Sequence, residues 1–293
     1  MFAGVHTALV TPLSSDGTID ADAFRNLIDK QFDNGTAGVV PMGTTGESPT
    51  FPHEEHARVV EMTVKQVGKR GLVIAGTGSN STKEAVSLTQ SAELAGADAA
   101  LLVTPYYNKP SQEGLFQHYR AVAESSELPL MLYSIPGRCS ISIEVDTMVR
   151  LVSECPSIKA IKEAGGDVQR VIDLKSALPE DFEILCGDDA LTIDFMKEGG
   201  VGVVSVASNL IPAPMVELVK CMLDGNPAGA ESVAAKYEPL FSALLTLDTN
   251  PVPIKAALAL AGECGSRLRL PMVEMSDEKT AELKSILETL GIL

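Results

Sequence analysis

The sequence lacks any pair of cysteines with the C-x-x-C spacing of zinc ribbons and redox motifs. Its five cysteines are odd in number and lie far apart, at Cys139, Cys155, Cys186, Cys221 and Cys264. Disulfide scaffolds and zinc ribbons depend on closely spaced or evenly paired cysteines, so both classes are disfavoured. Reduced thiols are expected instead.

Basic residues are scarce in this chain. The 23 Lys and Arg residues face 39 Asp and Glu residues, which gives a formal net charge of −16. Proteins that bind nucleic acids or anionic membranes present stripes of positive charge, so this composition argues against both partners. An anionic small substrate would require a locally cationic pocket.

No apolar run approaches the roughly 18–20 residues that a membrane-spanning helix requires. The first residues, MFAGVHTALVTPLSSDG, show no basic start, long apolar segment or small-residue cleavage site, so no signal peptide is predicted. A soluble cytoplasmic protein is expected. Its 293 residues, 45% of them hydrophobic, suffice for one large or two modest domains.

Two familiar catalytic motifs are also absent. No G-x-S-x-G marks a serine nucleophile. The segment HEEH places His53 and His56 three residues apart, whereas the H-E-x-x-H zinc helix needs four, so no metal site is expected. The pair Asp188–Asp189 is compatible with metal carboxylates, but acids also cap helix N-termini, and the capping interpretation is favoured.

Eight short β-rich segments recur along the chain, beginning at His6, Gly38, Gly71, Ala99, Leu128, Ser157, Phe182 and Gly200. Several are almost continuously apolar, as is typical of parallel strands covered on both faces. Amphipathic helical patterns lie between them, for example after the capping residues Asp20 and Ser81.

Eight strand–helix units at a spacing of about 25–30 residues predict a (β/α)8 TIM barrel of the α/β class. A doubly wound open sheet is the alternative, disfavoured because no G-x-G-x-x-G opens the chain. The barrel is expected over residues 1–225. Residues 226–293 carry three further helical patterns and are expected to form a C-terminal helical extension, packed on the barrel or on a partner subunit.

The segment IKAIKEAGG, residues 158–166, is an apolar strand with two lysines. Because strand side chains alternate, Ile158, Ala160 and Lys162 are predicted to share one face, with Lys159 pointing outward to solvent. If the shared face lines the barrel, Lys162 lies inside, at the C-terminal end of the strand, where such barrels carry their active sites. A strand-end lysine that snorkels to solvent fits the residues alone equally well.

A chemical role for Lys162 would require its amine to lose a proton near neutral pH. That is a decrease of about 3 units from the usual pKa of about 10.4, within the range that burial produces. A neutral buried amine attacks a ketone and forms a Schiff base, whose protonated imine acts as an electron sink.

Several motifs occur in order at compatible spacing: GTTGES at 43–48, VTPYYNKPSQEGL at 103–115, YSIPGR at 133–138, AIKEA at 160–164, GDDAL at 187–191, NPVPIKAALALAG at 250–262 and LRLPM at 268–272. They resemble the dihydrodipicolinate synthase family, over the chain from Val5 to the C-terminus. The resemblance implies a barrel lyase that condenses pyruvate with L-aspartate-4-semialdehyde in diaminopimelate and lysine biosynthesis, without cofactor or metal.

The resemblance also implies catalytic roles. Lys162 matches the Schiff-base lysine, and Tyr133 matches the proton donor and acceptor, with Thr44 and Tyr107 as its proton relay. In the family this second tyrosine reaches across from another subunit. A homodimer is therefore implied, and a homotetramer built as a dimer of dimers is expected.

Substrate contacts follow in the same way. Thr45 and Val204 match the contacts to pyruvate, and Arg138 matches the cation for the carboxylate of the aldehyde. A fixed guanidinium would solve the problem of holding an anionic substrate in an acidic protein. The alternative is a structural Arg138 that caps a turn carbonyl.

A regulatory site is implied as well, because lysine-inhibited members of the family bind L-lysine at the dimer interface. Glu84 suits the α-ammonium group of lysine, although its spacing from Ser81 also fits a capping box. Pro49 stands where alanine is usual. The matching positions are Ser48, Pro49, His53, His56, Asn80, Glu84 and Tyr106.

One departure from the family pattern follows Arg138, where Cys139-Ser140 replaces the usual Thr-Gly or Thr-Asn pair. Loss of a glycine is expected to alter the loop that presents the arginine. N-acetylneuraminate lyase shares the lysine and tyrosine, but it tends to have Ser-Thr in place of Thr44-Thr45 and lacks the arginine. A different keto-acid aldolase of the same family stays open. A catalytically silent ligand-binding barrel is disfavoured because Lys162, Tyr133, Thr44 and Tyr107 occur together, and a pyridoxal-phosphate barrel enzyme is disfavoured because no phosphate cradle is evident after strands seven and eight.

Overall fold

Eight parallel strands, each paired with the next along the chain, close into a barrel when β8 pairs with β1 in the computed structural model of residues 1–293. Their bounds are β1 Gly4–Ala8, β2 Gly38–Val40, β3 Leu72–Gly76, β4 Ala99–Val103, β5 Leu130–Ser134, β6 Ile158–Glu163, β7 Glu183–Cys186 and β8 Gly202–Ser205. All eight predicted strands are present, and the predicted (β/α)8 barrel is confirmed. The open-sheet alternative is wrong.

Twelve helices surround and extend the barrel. They are α1 Ala21–Asp33, α2 His53–Val67, α3 Thr82–Ala95, α4 Gln112–Ala123, α5 Pro136–Cys139, α6 Val145–Glu154, α7 Val168–Ala177, α8 Thr192–Lys197, α9 Pro212–Leu223, α10 Pro227–Thr246, α11 Val252–Leu260 and α12 Asp277–Thr289. None of them is both long enough and apolar enough to traverse a lipid bilayer.

Capping residues begin the helices where the sequence predicts them. The side chain of Asp20 accepts a hydrogen bond from the backbone N–H of Ala23, and that of Ser81 accepts one from Glu84. Such caps satisfy backbone N–H groups that have no partner within the helix. Helix α3 ends at Gly96 in the left-handed conformation that glycine adopts without strain.

Two apolar layers hold the barrel together. The inner layer fills the barrel and includes Ile74, Met131 and Leu185, with Phe2 closing the N-terminal end. The outer layer lies between the strands and the helices and is much larger. Because each strand is covered on both faces, its residues are apolar almost without interruption.

A bulge in β6 corrects one detail of the prediction. Leu130 pairs with Ile158, but the next residue, Met131, pairs with Ala160, which leaves Lys159 without a paired residue. The extra residue shifts the alternation of side chains. Ile158 therefore packs in the outer layer and does not share the inner face of Ala160 and Lys162.

The C-terminal helices attach to the barrel by apolar packing and by one buried ion pair. Helix α10 packs along α9, and α12 packs on α10 and α11. Lys255 of α11 is fully buried and donates to the Glu47 carboxylate, whose other oxygen accepts from the backbone N–H of Arg269 at 2.9 Å. This pair ties the loop after β2 to the C-terminal helices.

Candidate active site

Lys162 stands inside the barrel near the C-terminal end of β6, as predicted, with only 5% of its surface exposed. Its neighbour Lys159 is exposed, as predicted. Lys162 is buried and Lys159 exposed because Lys162 points into the barrel near the end of β6, whereas Lys159 lies at the start of the strand. Gly187 leaves room for the buried side chain, since an added Cβ there would lie 3.0 Å from the Lys162 Cε.

The environment of Lys162 shifts its protonation equilibrium toward the neutral amine. Burial lowers the pKa of the ammonium to about 8, because a charged group loses hydration inside the barrel. The negative charge of Asp189 opposes this decrease, and the positive charge of Arg138 adds to it. About a tenth of the amine is therefore unprotonated, and nucleophilic, at pH 7, far more than for a lysine of ordinary pKa.

Tyr133 lies directly beside Lys162. The two residues pair across β5 and β6, and the lysine Nζ lies 4.3 Å from the centre of the phenol ring. Burial raises the pKa of Tyr133 above its usual value, while the nearby Arg138 guanidinium and the Thr44 hydroxyl oppose the increase. The phenol therefore stays protonated and can donate a proton within the cavity.

Arg138 and Thr45 are joined through Asn250, a residue that the sequence analysis did not single out. The Arg138 Nη2 donates to the backbone carbonyl of Asn250 at 3.0 Å, and the Asn250 Nδ2 donates to the Thr45 hydroxyl at 3.0 Å. Arg138 thus donates to a backbone carbonyl, as expected if its role is structural. It also lines the inner cavity described below, as expected if it binds substrate. The motif NPVPIKAALALAG marks this segment, but nothing in it predicts the contacts.

An inner cavity of about 150 Å³ brings most of the predicted catalytic and substrate-binding residues together. Val206 lines it, whereas Val204 packs in the inner apolar layer below. The predicted residues that line it are Thr44, Thr45, Tyr133, Arg138 and Lys162.

Tyr107 is not brought to this cavity within the chain. Its side chain is 90% exposed, and its backbone φ of 71° holds it in the left-handed region, unusual for tyrosine. The side chain therefore projects from the loop after β4 into solvent, where another molecule can meet it.

An outer cavity of about 480 Å³ adjoins the inner one and shares Thr44, Tyr133 and Arg138 with it. Six of the seven residues predicted to bind L-lysine line this space; Asn80 does not. The six are Ser48, Pro49, His53, His56, Glu84 and Tyr106.

Two residues of the outer cavity already have partners. The buried His56 uses Nε2 to contact the Gly76 carbonyl at 2.8 Å, and burial lowers the pKa of its ring. The exposed Glu84 accepts from the Ser79 hydroxyl at 2.8 Å. The Ser81 N–H donates to the Ser79 hydroxyl. In a capping box the Glu84 carboxylate would accept directly from the Ser81 N–H, whereas here the Ser79 hydroxyl links the two groups.

The two aspartates after β7 have different roles, which corrects the expectation that both are caps. Asp188 is the cap of a short 3-10 turn and accepts from the Ala190 N–H at 3.0 Å. Asp189 reaches instead to the loop after β8, where its Oδ2 accepts from the N–H groups of Val206 and Ala207 at 3.0 and 2.8 Å. Both residues line the inner cavity.

The Cys139-Ser140 departure leaves the backbone turn in place. Ser140 adopts a left-handed conformation with a φ of 60°, the conformation that glycine would favour. The buried Cys139 thiol donates to the Thr104 carbonyl at 3.1 Å and anchors the turn that carries Arg138. The substitution therefore adds strain at Ser140 without unfolding the loop.

Comparison with known proteins adds independent findings. The model of the "Dihydrodipicolinate synthetase family" matches residues 1–290. The chain is 47% identical to the 4-hydroxy-tetrahydrodipicolinate synthase of Syntrophus aciditrophicus over 293 residues, covering all of both proteins.

Solved structures of dihydrodipicolinate synthases share the fold of this chain. The 4-hydroxy-tetrahydrodipicolinate synthase of Methylacidiphilum fumariolicum SolV is 49% identical, with a TM-score of 0.97 over 99% of this chain and 96% of that one. The Acinetobacter baumannii dihydrodipicolinate synthase in complex with pyruvate is 41% identical, with a TM-score of 0.97 over the whole of both chains. The Cyanidioschyzon merolae enzyme with lysine bound is 39% identical, with a TM-score of 0.96 over 100% and 99%. The chain belongs to the dihydrodipicolinate synthetase family.

Proposed function

We propose that this chain is a 4-hydroxy-tetrahydrodipicolinate synthase, a lyase that condenses pyruvate with L-aspartate-4-semialdehyde through a Schiff base on Lys162. The observation that carries the proposal is a buried lysine of lowered pKa beside the phenol of Tyr133 in a small cavity. The names of its full-length relatives and the pyruvate complex of the Acinetobacter baumannii enzyme support it.

The first half of the reaction joins pyruvate to the enzyme. The neutral Lys162 amine attacks the keto carbon, the carbonyl oxygen leaves as water after protonation, and a protonated imine remains. Tyr133 supplies and recovers protons in this step. Because the pKa of its phenol is raised, Tyr133 needs hydroxyl neighbours that pass the proton on without a full negative charge forming. We assign this relay to Thr44 and to Tyr107 of the partner subunit.

The second half forms the carbon–carbon bond. Loss of a proton from the pyruvate methyl group turns the imine into an enamine, and the enamine carbon attacks the aldehyde. The aldehyde oxygen takes up a proton, for which Tyr133 is the nearby donor. The amino group of the joined semialdehyde then attacks the imine carbon, which closes the ring and releases the Lys162 amine. Arg138 is proposed to hold the carboxylate of the aldehyde and Thr45 to position pyruvate, with Val204 in the apolar layer beneath the cavity. The hydrogen bonds that Asn250 makes with both residues fix the position of the Arg138 guanidinium relative to the Thr45 hydroxyl.

The outer cavity is proposed to bind L-lysine as a feedback inhibitor. The lysine-bound structure of the Cyanidioschyzon merolae relative supports this, as does the set of polar side chains around the cavity. Glu84 would receive the α-ammonium group, Asn80 and Tyr106 the carboxylate, and His53 and His56 would lie near the side chain. Since the two cavities share Tyr133 and Arg138, an occupant of one can act on the other.

A homodimer is proposed as the minimal active form, because Tyr107 projects away from the inner cavity of its own chain. A tetramer built from two such dimers is the expected assembly. We place the protein in the cytoplasm, where five unpaired cysteines stay reduced.

A steady-state assay tests the proposed reaction. Purified protein should turn over pyruvate with L-aspartate-4-semialdehyde and leave N-acetylneuraminate uncleaved. Cleavage of N-acetylneuraminate at a comparable rate would assign the chain to the lyase alternative instead.

A further inference from the structure

The inner cavity contains a carboxylate oxygen that has no hydrogen bond of normal geometry. Asp189 uses its Oδ2 to accept two backbone N–H groups, whereas its Oδ1 is buried and unsatisfied, with the Ser205 hydroxyl as the side-chain donor near the carboxylate. A buried polar atom that has lost its hydration without gaining a partner is uncommon, and each such atom calls for an explanation. Asp188 differs, because its Oδ1 accepts from Ala190.

The nitrogen of Lys162 is the group whose charge Asp189 influences. The charged and titratable groups around that nitrogen are Asp189, Cys186, Arg138 and the Tyr133 phenol, with Asp188 also on the cavity wall. Burial raises the pKa of the Cys186 thiol, which therefore stays neutral. Asp189 is thus the carboxylate that acts on Lys162.

A second carboxylate near Lys162, that of Glu163, already has hydrogen-bond partners of its own. Glu163 follows Lys162 on β6, and its carboxylate is held by the Arg170 guanidinium at 2.6 Å and by the Gly165 N–H at 2.8 Å. Strand alternation places it on the opposite face from Lys162. It therefore has its own cation outside the barrel.

We propose that Asp189 is the counter-ion of the protonated imine that forms on Lys162, an inference that rests on the proposed function. When the neutral amine bonds to the keto carbon and water leaves, one proton is taken up and the nitrogen becomes cationic. The same burial that lowers the pKa of the amine opposes this new charge. A fixed carboxylate offsets that penalty at the step where the charge appears.

The position of Asp189 suits a counter-ion that must not move. The backbone N–H groups of Val206 and Ala207 hold one oxygen in place. Burial raises the pKa of Asp189, while these N–H groups and the nearby Ser205 hydroxyl oppose the increase by favouring the ionised carboxylate. The Asp189 charge raises the pKa of Lys162, but less than burial lowers it, so the free amine remains reactive.

The variant Asp189→Asn separates charge from structure, because an amide oxygen can still accept from the same two N–H groups. The experiment traps the imine with borohydride over a range of pyruvate concentrations and pH values, and measures labelling of Lys162 by mass spectrometry. Asp194→Asn, the same change at an exposed residue of α8, is the matched control.

Two opposite changes are expected in Asp189→Asn. Half-maximal labelling should require at least about tenfold more pyruvate, the equivalent of about one pKa unit of lost imine stabilisation. The pH midpoint of the initial labelling rate should move to lower pH, because loss of the negative charge lowers the pKa of the free amine. A merely structural defect would slow labelling without moving that midpoint downward.

An unchanged pyruvate requirement, or a midpoint that stays or rises, would overturn the assignment of Asp189. Absence of labelling in the unmodified protein would instead refute the proposed function, so the two failures are distinct. If Asp189→Asn does not fold, Asp189→Ser is the second variant and must show the same two changes. Loss of folding in both would assign Asp189 to loop structure and overturn the counter-ion role.

Discussion

The Nζ of Lys162 lies 4.3 Å from the centre of the Tyr133 ring, and the two residues are paired across adjacent strands of the barrel. Strand pairing sets this proximity, so it does not depend on a flexible loop. A nucleophile and a proton donor are thereby held together before any substrate arrives.

The pKa of Lys162 predicts how activity depends on pH. Burial lowers this pKa to about 8, so the neutral amine is the minor form below that pH. We expect kcat/KM for pyruvate to fall about tenfold per pH unit below about pH 7 and to level off above about pH 8. Initial rates at low pyruvate concentration give this profile. A flat profile between about pH 6 and about pH 8 would contradict a titrating lysine.

Removal of the Tyr133 hydroxyl should disable proton transfer while leaving the packing intact. Tyr133→Phe is expected to reduce kcat at least about 100-fold, the lower end of general acid–base effects. Tyr119→Phe is the matched control, since Tyr119 is fully buried on α4 and lines neither cavity. Near-normal turnover of Tyr133→Phe would refute its assigned role.

The left-handed backbone at Ser140 predicts a stabilising substitution. Ser140→Gly should raise the free energy of unfolding by about 1 kcal/mol, because glycine adopts a φ of 60° without the steric penalty of a Cβ. Urea unfolding measures the change. Ser142→Gly, in the same loop but without a positive φ, should be neutral or destabilising. Equal effects of both substitutions would show that strain at Ser140 is negligible.

Inhibition by L-lysine should depend on the charge of Glu84. Glu84→Gln is expected to raise the inhibitory concentration of lysine at least about tenfold, because a charge-assisted hydrogen bond to the α-ammonium group is lost. Glu61→Gln, an exposed site on α2, should retain the inhibition of the unmodified protein. Insensitivity of the unmodified protein to millimolar lysine would remove the regulatory proposal.

The barrel was predictable from the sequence because its strands are apolar on both faces and its helices carry local caps. The inward direction of Lys162 was predicted correctly. The prediction that Ile158 shares its face was wrong, because the bulge at Lys159 places Ile158 in the outer layer. Alternation still held over the two residues from Ala160 to Lys162, and this short distance fixed the outcome.

Long-range polar contacts could not be predicted in the same way. Asn250 meets Thr45 across 205 positions of the chain, and Lys255 meets Glu47 across 208. The periodicity of apolar residues predicts helices and strands, but it does not predict contacts between residues so far apart in the chain. Asp189 was interpreted as a cap because its neighbours favour a helix start, whereas its partners lie in the loop after β8.

Borohydride trapping of the unmodified protein tests the central claim most directly. With pyruvate present, the peptide that contains Lys162 should gain the mass of pyruvic acid less one oxygen atom, and without pyruvate it should gain nothing. Lys162→Ala should abolish the label, whereas Lys159→Ala, a change at the exposed neighbouring lysine, should retain it. A label that falls on another lysine, or no pyruvate-dependent label at all, would contradict the assignment of Lys162 as the Schiff-base nucleophile.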